Sequence, residues 1–421
     1  MVLVAHSSPS LPFEGLSAAT SLGSSDSVPS TSFLVPHYYL IKDLRQSECT
    51  QILFTQNINT GQRLVMKILR DYKDARYSLE TISKRQQCQL KALERNKVYT
   101  LGGEVYIGLA RIKDLDLSQS CILIDEIINN PTKGMLDSNA EYALVMHQLA
   151  EERRLDHILS EESRDALRKY IYLLAQYLSY IHTHFAAPLV ANENGIHWGS
   201  HEQLQRKLVH NFEPLDLVLA ISKNSRGNAY DLLKNRLTCL KNRLNHMFSQ
   251  YKYKQYFEQR LLEHRIKRCH GDLKSPHIWI TSPDEWREQE PWKDVLILDA
   301  ADFNPLYTNI DVLSDLALLA VDIQARTGIP LLADLLTENY LQITNQKDEA
   351  SRGVLAFYLV EKAIVGAAMS IVYDNLPDLG WAFLETAEMR LKCLIESGNI
   401  ATDLIEDLSN PARSLEDLPV T

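Results

Sequence analysis

The six cysteines of this 421-residue chain are scattered, and no two of them have C-x-x-C spacing. Zinc sites and disulfide frameworks both need cysteines at close, recurring spacings, so the sequence indicates neither. Reduced thiols are expected, which fits a cytoplasmic protein. The cysteines are Cys49, Cys88, Cys121, Cys239, Cys269 and Cys393.

Apolar runs of membrane-spanning length and targeting signals are also missing from the sequence pattern. No apolar run approaches the length that spans a bilayer, and the N-terminus has no basic stretch that leads into an apolar core. We therefore expect a soluble, cytoplasmic protein that does not bind a membrane.

Positive charge is in deficit, because 44 Lys and Arg residues face 54 Asp and Glu residues, for a net charge of −10. A protein whose main partner is a nucleic-acid backbone concentrates Lys and Arg on its binding surface. We therefore expect no nucleic acid as a main partner, although this balance leaves a local basic patch open.

Glycine is sparse where phosphate-binding loops would need it. The chain has no G-x-x-x-x-G-K-[ST] motif, and the hairpin loop Gln56–Gly61 has a single glycine. If the protein binds phosphate groups, we expect them to meet backbone amides of this loop and the ammonium group of Lys67, which lies in the strand pattern Arg63–Leu69.

The hydrophobic pattern divides the chain into four segments. Residues 1–35 form a Ser-rich tail predicted to be disordered, 36–146 a small lobe of short strands with one helix, 147–400 a larger helical lobe, and 401–421 an acidic tail. Within the helical lobe, only 269–305 has strand character, as a catalytic hairpin. The sequence thus predicts a two-lobed α+β fold with a β-rich N-lobe and a helical C-lobe.

The predicted elements can be placed with some detail. One helix lies between Tyr77 and Asn96, and in the second half helices are predicted over Ser163–His184 and Asn228–Arg265. The strand runs of the first half are His37–Ile41, Thr50–Thr55, Arg63–Leu69, Glu104–Ile112, Cys121–Ile128 and Tyr142–Met146.

Two aspartates, 27 residues apart, mark the most informative stretch of the chain. Asp272 follows His270-Gly271 in a loop, and Asp299 closes the apolar strand Val295–Leu298. A loop carboxylate can receive a proton from a hydroxyl group, and a carboxylate at the exit of a buried strand supplies the oxygen that magnesium prefers. Each aspartate alone would be read as a turn or capping residue, but the pair favours a phosphoryl-transfer site.

Three further residues have both a functional and an ordinary interpretation. Lys67 could point at nucleotide phosphates, steadied by Glu80 or Glu94, although most strand lysines are simply solvated. Asp311 and Asp315 lie at the start of a helix, where negative charge is favoured by the helix dipole. For Asp315 we also consider a hydrogen bond that braces the catalytic loop.

These motifs resemble the aminoglycoside phosphotransferase and choline kinase-like superfamily, which has a protein-kinase-like fold. The resemblance covers residues 40 to 395 or so and is closest to a bacterial branch in which such a domain is often fused to a P-loop kinase domain. The similar stretches are Val105–Gly108, Glu141–Met146, Gly199–Phe212, Cys269–Ile280, Leu298–Leu319 and Phe357–Leu359.

The resemblance implies ATP and magnesium as cofactors and assigns roles by position. It implies Asp272 as catalytic base, Asp299 as metal ligand and Lys67 as phosphate contact, with His270 and Asp315 in support. It also implies that a hinge segment reads adenine through its backbone groups. The hinge residues are Glu141, Ala143 and Met146.

The chain departs from this family at two places. Relatives have a metal-binding asparagine five residues after the catalytic aspartate, where this chain has His277, and imidazole nitrogen is a poor match for magnesium. His277 is therefore either a ligand, with manganese or a single metal, or a buried supporting residue. Relatives also have an acidic run in the helix after Lys67, where this chain has Leu90, Lys91 and Ala92.

The sequence therefore predicts an ATP-dependent phosphotransferase that acts on a small hydroxylated or amino-bearing metabolite. The alternative is a pseudokinase or nucleotide-binding regulatory protein of the same fold without efficient transfer, so whether the chain is an enzyme is open. The sequence names neither the acceptor nor the oligomeric state.

Overall fold

The computed structural model describes most of the chain between residues 37 and 396. The described ranges are 37–73, 78–101, 104–186, 197–221, 228–280, 293–301, 304–372 and 376–396. The tails predicted at 1–35 and 401–421 lie outside the described residues.

A closed antiparallel barrel forms the first half of the described chain, with strand order β1-β2-β3-β6-β4-β5. Alternate residues of β3 (Leu64, Met66 and Ile68) are buried together, as the two-residue period of a strand requires. Each predicted strand run overlaps an observed strand. The strands are β1 (His37–Gln46), β2 (Thr50–Asn57), β3 (Arg63–Leu69), β4 (Tyr106–Asp116), β5 (Cys121–Ile128) and β6 (Tyr142–His147).

One helix, α1 (Ile82–Val98), separates β3 from β4, where the sequence predicted it. Thr81 caps its start, because the Thr81 hydroxyl oxygen accepts the N–H of Lys84 at 3.3 Å. Ala92 and Leu93 on its buried face pack with apolar residues of β4 and β6. The helix is thereby fixed against the outside of the barrel.

The second half of the chain is mainly helical and contains the largest apolar core. The single helix predicted for 228–265 is wrong, because the structure has two helices that meet at Gln250, the N-cap of the second. The helices are α2 (Leu155–Glu161), α3 (Arg164–His184), α4 (His201–Ile221), α5 (Asn228–Ser249), α6 (Tyr251–Leu262), α7 (Pro305–Thr308), α8 (Val312–Thr327), α9 (Pro330–Ile343), α10 (Glu349–Val372) and α11 (Pro377–Glu396).

The expectation that no apolar run approaches membrane length is wrong for α10. By length and composition alone, Glu349–Ile371 is apolar enough to cross a bilayer. Most of this stretch is buried inside the protein, where α10 contacts α4, α5, α6, α8 and α11. Its apolar composition is that of a central core helix, which is surrounded by other helices on most sides.

Two small antiparallel pairs lie within the helical half and carry the loop of Asp272. β7 (Ile266–Arg268) pairs with β10 (Asn309–Asp311), and β8 (Ile278–Ile280) pairs with β9 (Val295–Ile297). Because Ile278 lies opposite Ile297, the loop before β8 lies beside the residues that follow β9. This register brings the two halves of the motif together.

Candidate active site

The loop that carries Asp272 is held by a buried carboxylate. Asp315, in the first turn of α8, accepts the N–H of His270 at 2.9 Å and the N–H of Gly271 at 2.9 Å, one on each oxygen. Gly271 has φ +86°, and a Cβ there would lie 2.6 Å from the carbonyl oxygen of Tyr307. The loop conformation therefore needs both the glycine and the aspartate.

Asp315 is kept ionised although it is buried. Burial raises the pKa of its carboxyl group, but the hydrogen bond from His182 and the N–H of Gly271 outweigh burial, so the net pKa is below its usual value. His182 Nε2 lies 3.4 Å from Asp315 Oδ2, and His182 Nδ1 lies 2.8 Å from the Tyr340 hydroxyl. A chain of polar contacts thus supports the loop from the core.

Asp299 follows β9 in a left-handed conformation, with φ +63°. Its own N–H donates to the Tyr106 hydroxyl at 3.0 Å, and the preceding N–H, of Leu298, donates to the His277 carbonyl at 2.8 Å. His270 Nε2 donates to the Leu298 carbonyl at 3.0 Å. These bonds hold a backbone conformation that is uncommon outside glycine.

The last turns of α1 hold the two residues that follow Asp299. The N–H of Ala300 donates to Asn96 Oδ1 at 2.9 Å, and Arg95 donates to the Ala301 carbonyl. Arg95 also donates to the Thr308 hydroxyl at 3.2 Å. Sequence patterns gave no signal for Asn96, Arg95 and Tyr106, because their contacts are more than 190 positions away in the chain.

Lys67 on β3 contacts Asp299 directly. Its ammonium group forms an ion pair with Asp299 Oδ1, between side chains that are 17% and 45% exposed. Burial raises the pKa of the Asp299 carboxyl, but Lys67 and, to a lesser degree, His277 outweigh burial and hold the pKa well below its usual range. Asp299 is therefore an anion across the physiological pH range.

The glutamates proposed to steady Lys67 lie elsewhere. Glu80 precedes α1 and forms an ion pair with Lys73 at 3.2 Å, and Glu94 is on the exposed face of α1. In α1, which is described in full, no acidic side chain is buried. Near Lys67, this face offers an amide: Gln89 donates to the Lys67 carbonyl at 3.4 Å.

Asp272 and Asp299 flank the ring of His277. His277 Nδ1 lies 2.9 Å from the Asp272 carbonyl oxygen and 3.7 Å from Asp272 Oδ2, and His277 Nε2 lies 3.9 Å from Asp299 Oδ2. Burial raises the pKa of Asp272, but Lys274, whose ammonium is 3.2 Å from Oδ2, and His277 lower it below its usual value. Two ionised carboxylates therefore lie on either side of one imidazole.

His270 joins the two segments as a neutral residue. Burial lowers the pKa of its imidazole. Its Nε2–H donates to Leu298, as described above, so its Nδ1 is the acceptor for the N–H of Asp272 at 3.3 Å. His270 therefore fixes the spacing between the Asp272 loop and the Asp299 segment.

The hinge assignment from the resemblance does not fit the structure. Ala143 pairs with Ile68 on one side and Ala110 on the other, so its backbone is part of the barrel. Met146 is likewise paired with Val65 and Tyr106.

Glu141 is also committed elsewhere. Its carboxylate forms an ion pair with Arg85, and its carbonyl accepts the N–H of Ile112 at 2.9 Å. The segment 141–146 therefore has no backbone edge for adenine. The segment that leaves the barrel is 148–150, directly after β6.

The phosphate-loop expectation is also corrected by the register of the barrel. Lys67 pairs with Ile52, and two residues further on Leu69 pairs with Thr50, the first residue of β2 after the turn 47–49. The loop Gln56–Gly61 lies at the opposite end of this hairpin. Along the paired strands, the turn 47–49 is therefore nearer to Lys67 than the loop Gln56–Gly61 is.

A second group of potential metal ligands lies beneath the loop. Side-chain atoms of His182, Cys269 and Asp315 lie within 4.8 Å of one another, and all three residues are buried. Burial raises the pKa of the Cys269 thiol far above its usual value. His182 and Asp315 already hold the loop through the bonds described above, so this group is better explained as support for the loop.

No family model matches this chain, and no curated protein matches it. Solved structures that are similar include a choline kinase from Cryptosporidium parvum Iowa II, with 12% identity, a TM-score of 0.49 and coverage of 89% of this chain and 94% of that chain. An ethanolamine kinase from Plasmodium vivax has 11% identity, a TM-score of 0.44 and coverage of 84% and 82%. The GDP complex of wild-type aminoglycoside 2'-phosphotransferase-IIIa has 11% identity, a TM-score of 0.45 and coverage of 86% and 94%.

These proteins are of the kinds named by the superfamily that the sequence resembles. With TM-scores below 0.5 and such low identities, the similarity identifies neither the reaction nor the substrate of this chain. The relation to the branch fused to a P-loop kinase domain stays a prediction.

Proposed function

We propose that this protein is an ATP-dependent phosphotransferase that acts on a small hydroxylated or amino-bearing metabolite. The observation that carries the proposal is the convergence of Asp272 and Asp299 on His277, with Lys67 in contact with Asp299. A phosphoryl-transfer site needs a carboxylate for the acceptor, a carboxylate for a cation and a cation for the phosphates. In the proposed two-lobed arrangement, the nucleotide lies between the barrel and the helical half.

Asp272 is proposed to orient the acceptor and to receive its proton. Its side chain is 42% exposed and is not enclosed by the loop. Because its pKa is lowered, the carboxylate is ionised but weakly basic, so it accepts a strong hydrogen bond and takes the proton only as phosphate transfer acidifies the acceptor.

Asp299 and Lys67 are proposed to bind the phosphates, with Asp299 acting through a divalent cation. A cation such as magnesium, when bound, would neutralise negative charge on the β- and γ-phosphates. The partly exposed Asp299 carboxylate fits such an ion, since its Oδ2 is not the oxygen that bonds Lys67. The imidazole of His277 does not fit an all-oxygen magnesium shell.

The adenine is proposed to lie beside residues 148–150 rather than beside 141–146. This segment follows β6 and leads to the helical half through the short 3-10 helix Glu151–Arg153. Its backbone is outside the strand pairs of the barrel. This segment is therefore the place where the chain passes from the barrel to the helical half with backbone outside the barrel.

The competing proposal is a pseudokinase or nucleotide-binding regulator. One observation favours it: near Lys67, the buried face of α1 has the amide of Gln89, and no buried carboxylate of α1 pairs with the lysine. The two proposals agree on nucleotide binding and differ on transfer.

The test is to measure ATP binding and turnover of the full-length protein with magnesium or manganese across a panel of hydroxylated and amino-bearing acceptors. We expect turnover in the wild type and a loss of at least 100-fold in Asp272→Asn, with ATP affinity nearly unchanged. Asp165→Asn, which removes an exposed carboxylate from the start of α3, is the matched control. Binding without turnover would favour the pseudokinase, and turnover by Asp272→Asn at the wild-type rate would refute the assigned base.

A further inference from the structure

Helix α4 turns a row of polar side chains toward the core. Gln203, Lys207 and Asn211 are four positions apart, so they follow one face of the helix, and all three are buried. Lysine is almost never fully buried unless it is paired, yet Lys207 is only 4% exposed. Because a buried ammonium group lowers stability unless other groups compensate for it, the surroundings of Lys207 indicate its role.

The hydrogen-bond partner of Lys207 lies at the start of α8. The ammonium group donates to the Ser314 hydroxyl at 3.3 Å. Ser314 directly precedes Asp315, whose carboxylate accepts two N–H groups of the Asp272 loop. Lys207 therefore contacts the first turn of α8 one residue before the group that holds the loop.

Buried charges of both signs surround this ammonium group. On α10, the Glu361 carboxylate accepts a hydrogen bond from the Asn211 amide and pairs with Lys362 at 3.2 Å. Burial and the charge of Lys362 lower the pKa of Lys207 to about 7, whereas the charges of Glu361 and Asp315 raise it. The pKa values of both carboxyl groups are lowered. When both lysines are protonated, two ammonium groups thus balance two carboxylates.

Two further ionisable groups near Lys207 are neutral at physiological pH. The ring centre of Tyr358, on α10, lies 6.0 Å from the ammonium nitrogen, and Cys269 directly precedes the His-Gly pair of the loop. Burial raises the pKa of the phenol and of the thiol far above their usual values. A change in the charge of Lys207 is therefore not compensated by these two groups.

We propose that the ammonium group of Lys207 is a positioning group of the active site, which holds Ser314 and balances the charge of Asp315 so that the Asp272 loop keeps its conformation. The proposal rests on the proposed function only for the role of this loop in phosphate transfer. Loss of the ammonium proton leaves a net negative charge among buried groups, which is unfavourable. The Asp315 carboxylate is then less stabilised, and its hydrogen bonds to the loop change.

The first experiment observes the loop without any substrate. Full-length protein labelled with ¹³C-carbonyl histidine and ¹⁵N-glycine gives one ¹³C-selected amide signal, that of Gly271, because His270-Gly271 is the only His-Gly pair in the sequence. The N–H of Gly271 donates to Asp315 Oδ1, so its chemical shift reports on this hydrogen bond. We expect the signal to shift between about pH 6 and pH 8.5, with a midpoint of about 7, the pKa of Lys207.

Two substitutions test the charge of Lys207. Lys207→Arg retains a positive charge over this range, and Lys207→Met removes it. We expect the Gly271 signal to stay at the low-pH position of the wild type in Lys207→Arg and at the high-pH position in Lys207→Met. Titration of a nearby histidine would instead shift the signal alike in both variants. Lys254→Met, which removes an exposed lysine of α6, is the control and should titrate like the wild type.

The second experiment measures kcat and KM for ATP at both ends of this pH range. Lys207→Met should lower kcat about fivefold or more at the acidic end, as expected when one member of a polar network is removed. At the alkaline end the difference should nearly vanish, because the wild type has itself lost the proton. KM for ATP should change little at either pH. A merely structural role would lower kcat by the same factor at both.

Identical behaviour of the Gly271 signal in Lys207→Arg and Lys207→Met would overturn the inference, whether or not the protein transfers phosphate. An equal loss of kcat at the two pH values in Lys207→Met would overturn it as well, since the charge would then have no effect. The expected signals in a protein that turns over no acceptor would refute the proposed function and leave the link between Lys207 and the loop in place.

Discussion

Lys67 and Asp299 form an ion pair across 232 positions of the sequence, and this pair joins a barrel strand to the segment after β9. The sequence suggested a glutamate as the partner of the lysine, whereas the structure has an aspartate of the site itself. The lysine therefore acts on the pKa of Asp299 as well as being available to phosphates.

Lys67→Met is predicted to lower kcat/KM for ATP at least tenfold. The variant removes the charge that lowers the pKa of Asp299 and that we propose to meet the phosphates. Steady-state kinetics and ADP titration measure the effect. Lys113→Met, which removes a lysine paired with Asp125 on the barrel surface, should leave both unchanged, and equal losses in the two variants would contradict the role of Lys67.

Asn96→Ala is predicted to lower kcat about tenfold, with a smaller change in KM for ATP. The side chain of Asn96 is buried and accepts the N–H of Ala300. A buried donor left without its acceptor costs about 1–3 kcal/mol, which here would loosen the residue next to Asp299. Asn96→Asp, which keeps the accepting oxygen, should restore part of kcat.

Thermal unfolding distinguishes positioning from stability in this case. Asn59→Ala, in the exposed β2–β3 turn, is the control for the substitution itself. A lower melting temperature of Asn96→Ala with an unchanged kcat would mean that Asn96 has a structural role alone.

Gly271→Ala is predicted to destabilise the protein by about 2 kcal/mol or more. The new Cβ would meet the Tyr307 carbonyl oxygen at 2.6 Å, and φ is +86°. Gly328→Ala is the matched control, since Gly328 has φ +66° and open space around its Cβ position. The control should cost about 1 kcal/mol in denaturant unfolding, so similar losses would argue against the close approach at Gly271.

Asp315→Asn is predicted to weaken the fold at neutral pH and to reduce its sensitivity to acid. The folded-state pKa of Asp315 is lowered, so its ionisation stabilises the fold above the unfolded value of about 3.9 and this contribution is lost as the pH falls through the folded value. Unfolding free energies from about pH 3 to pH 7 should therefore rise less steeply in the variant. Parallel curves would show that Asp315 titrates alike in both states.

Local pattern was sufficient for the strands and for most helices. The alternation in Arg63–Leu69 and the helical spacing in Ser163–His184 match the side chains that are buried. Both patterns can be read from neighbouring residues alone. The break between α5 and α6 was missed because Gln250 is no strong helix breaker, although its backbone there is extended, with φ −69° and ψ 139°.

The aspartates of the site could be found within one short stretch of sequence, whereas the residues that hold this stretch in place lie far away in the chain. Asp272 and Asp299 could be chosen from a stretch of about thirty residues, but Asn96, Arg95 and Tyr106 reach this stretch from α1 and β4. Pairing across the barrel decided where Glu141 and Ala143 lie, and a single sequence contains no signal for that register.

The left-handed backbone of Asp299 restricts what evolution can do at this position. Aspartate, asparagine and glycine are the residues that tolerate such a φ most readily. A mutation of Asp299 to asparagine or glycine would thus remove the negative charge of this side chain while the surrounding backbone keeps its conformation. Gene copies freed from selection could in this way become inert yet well-folded binding proteins by a single change.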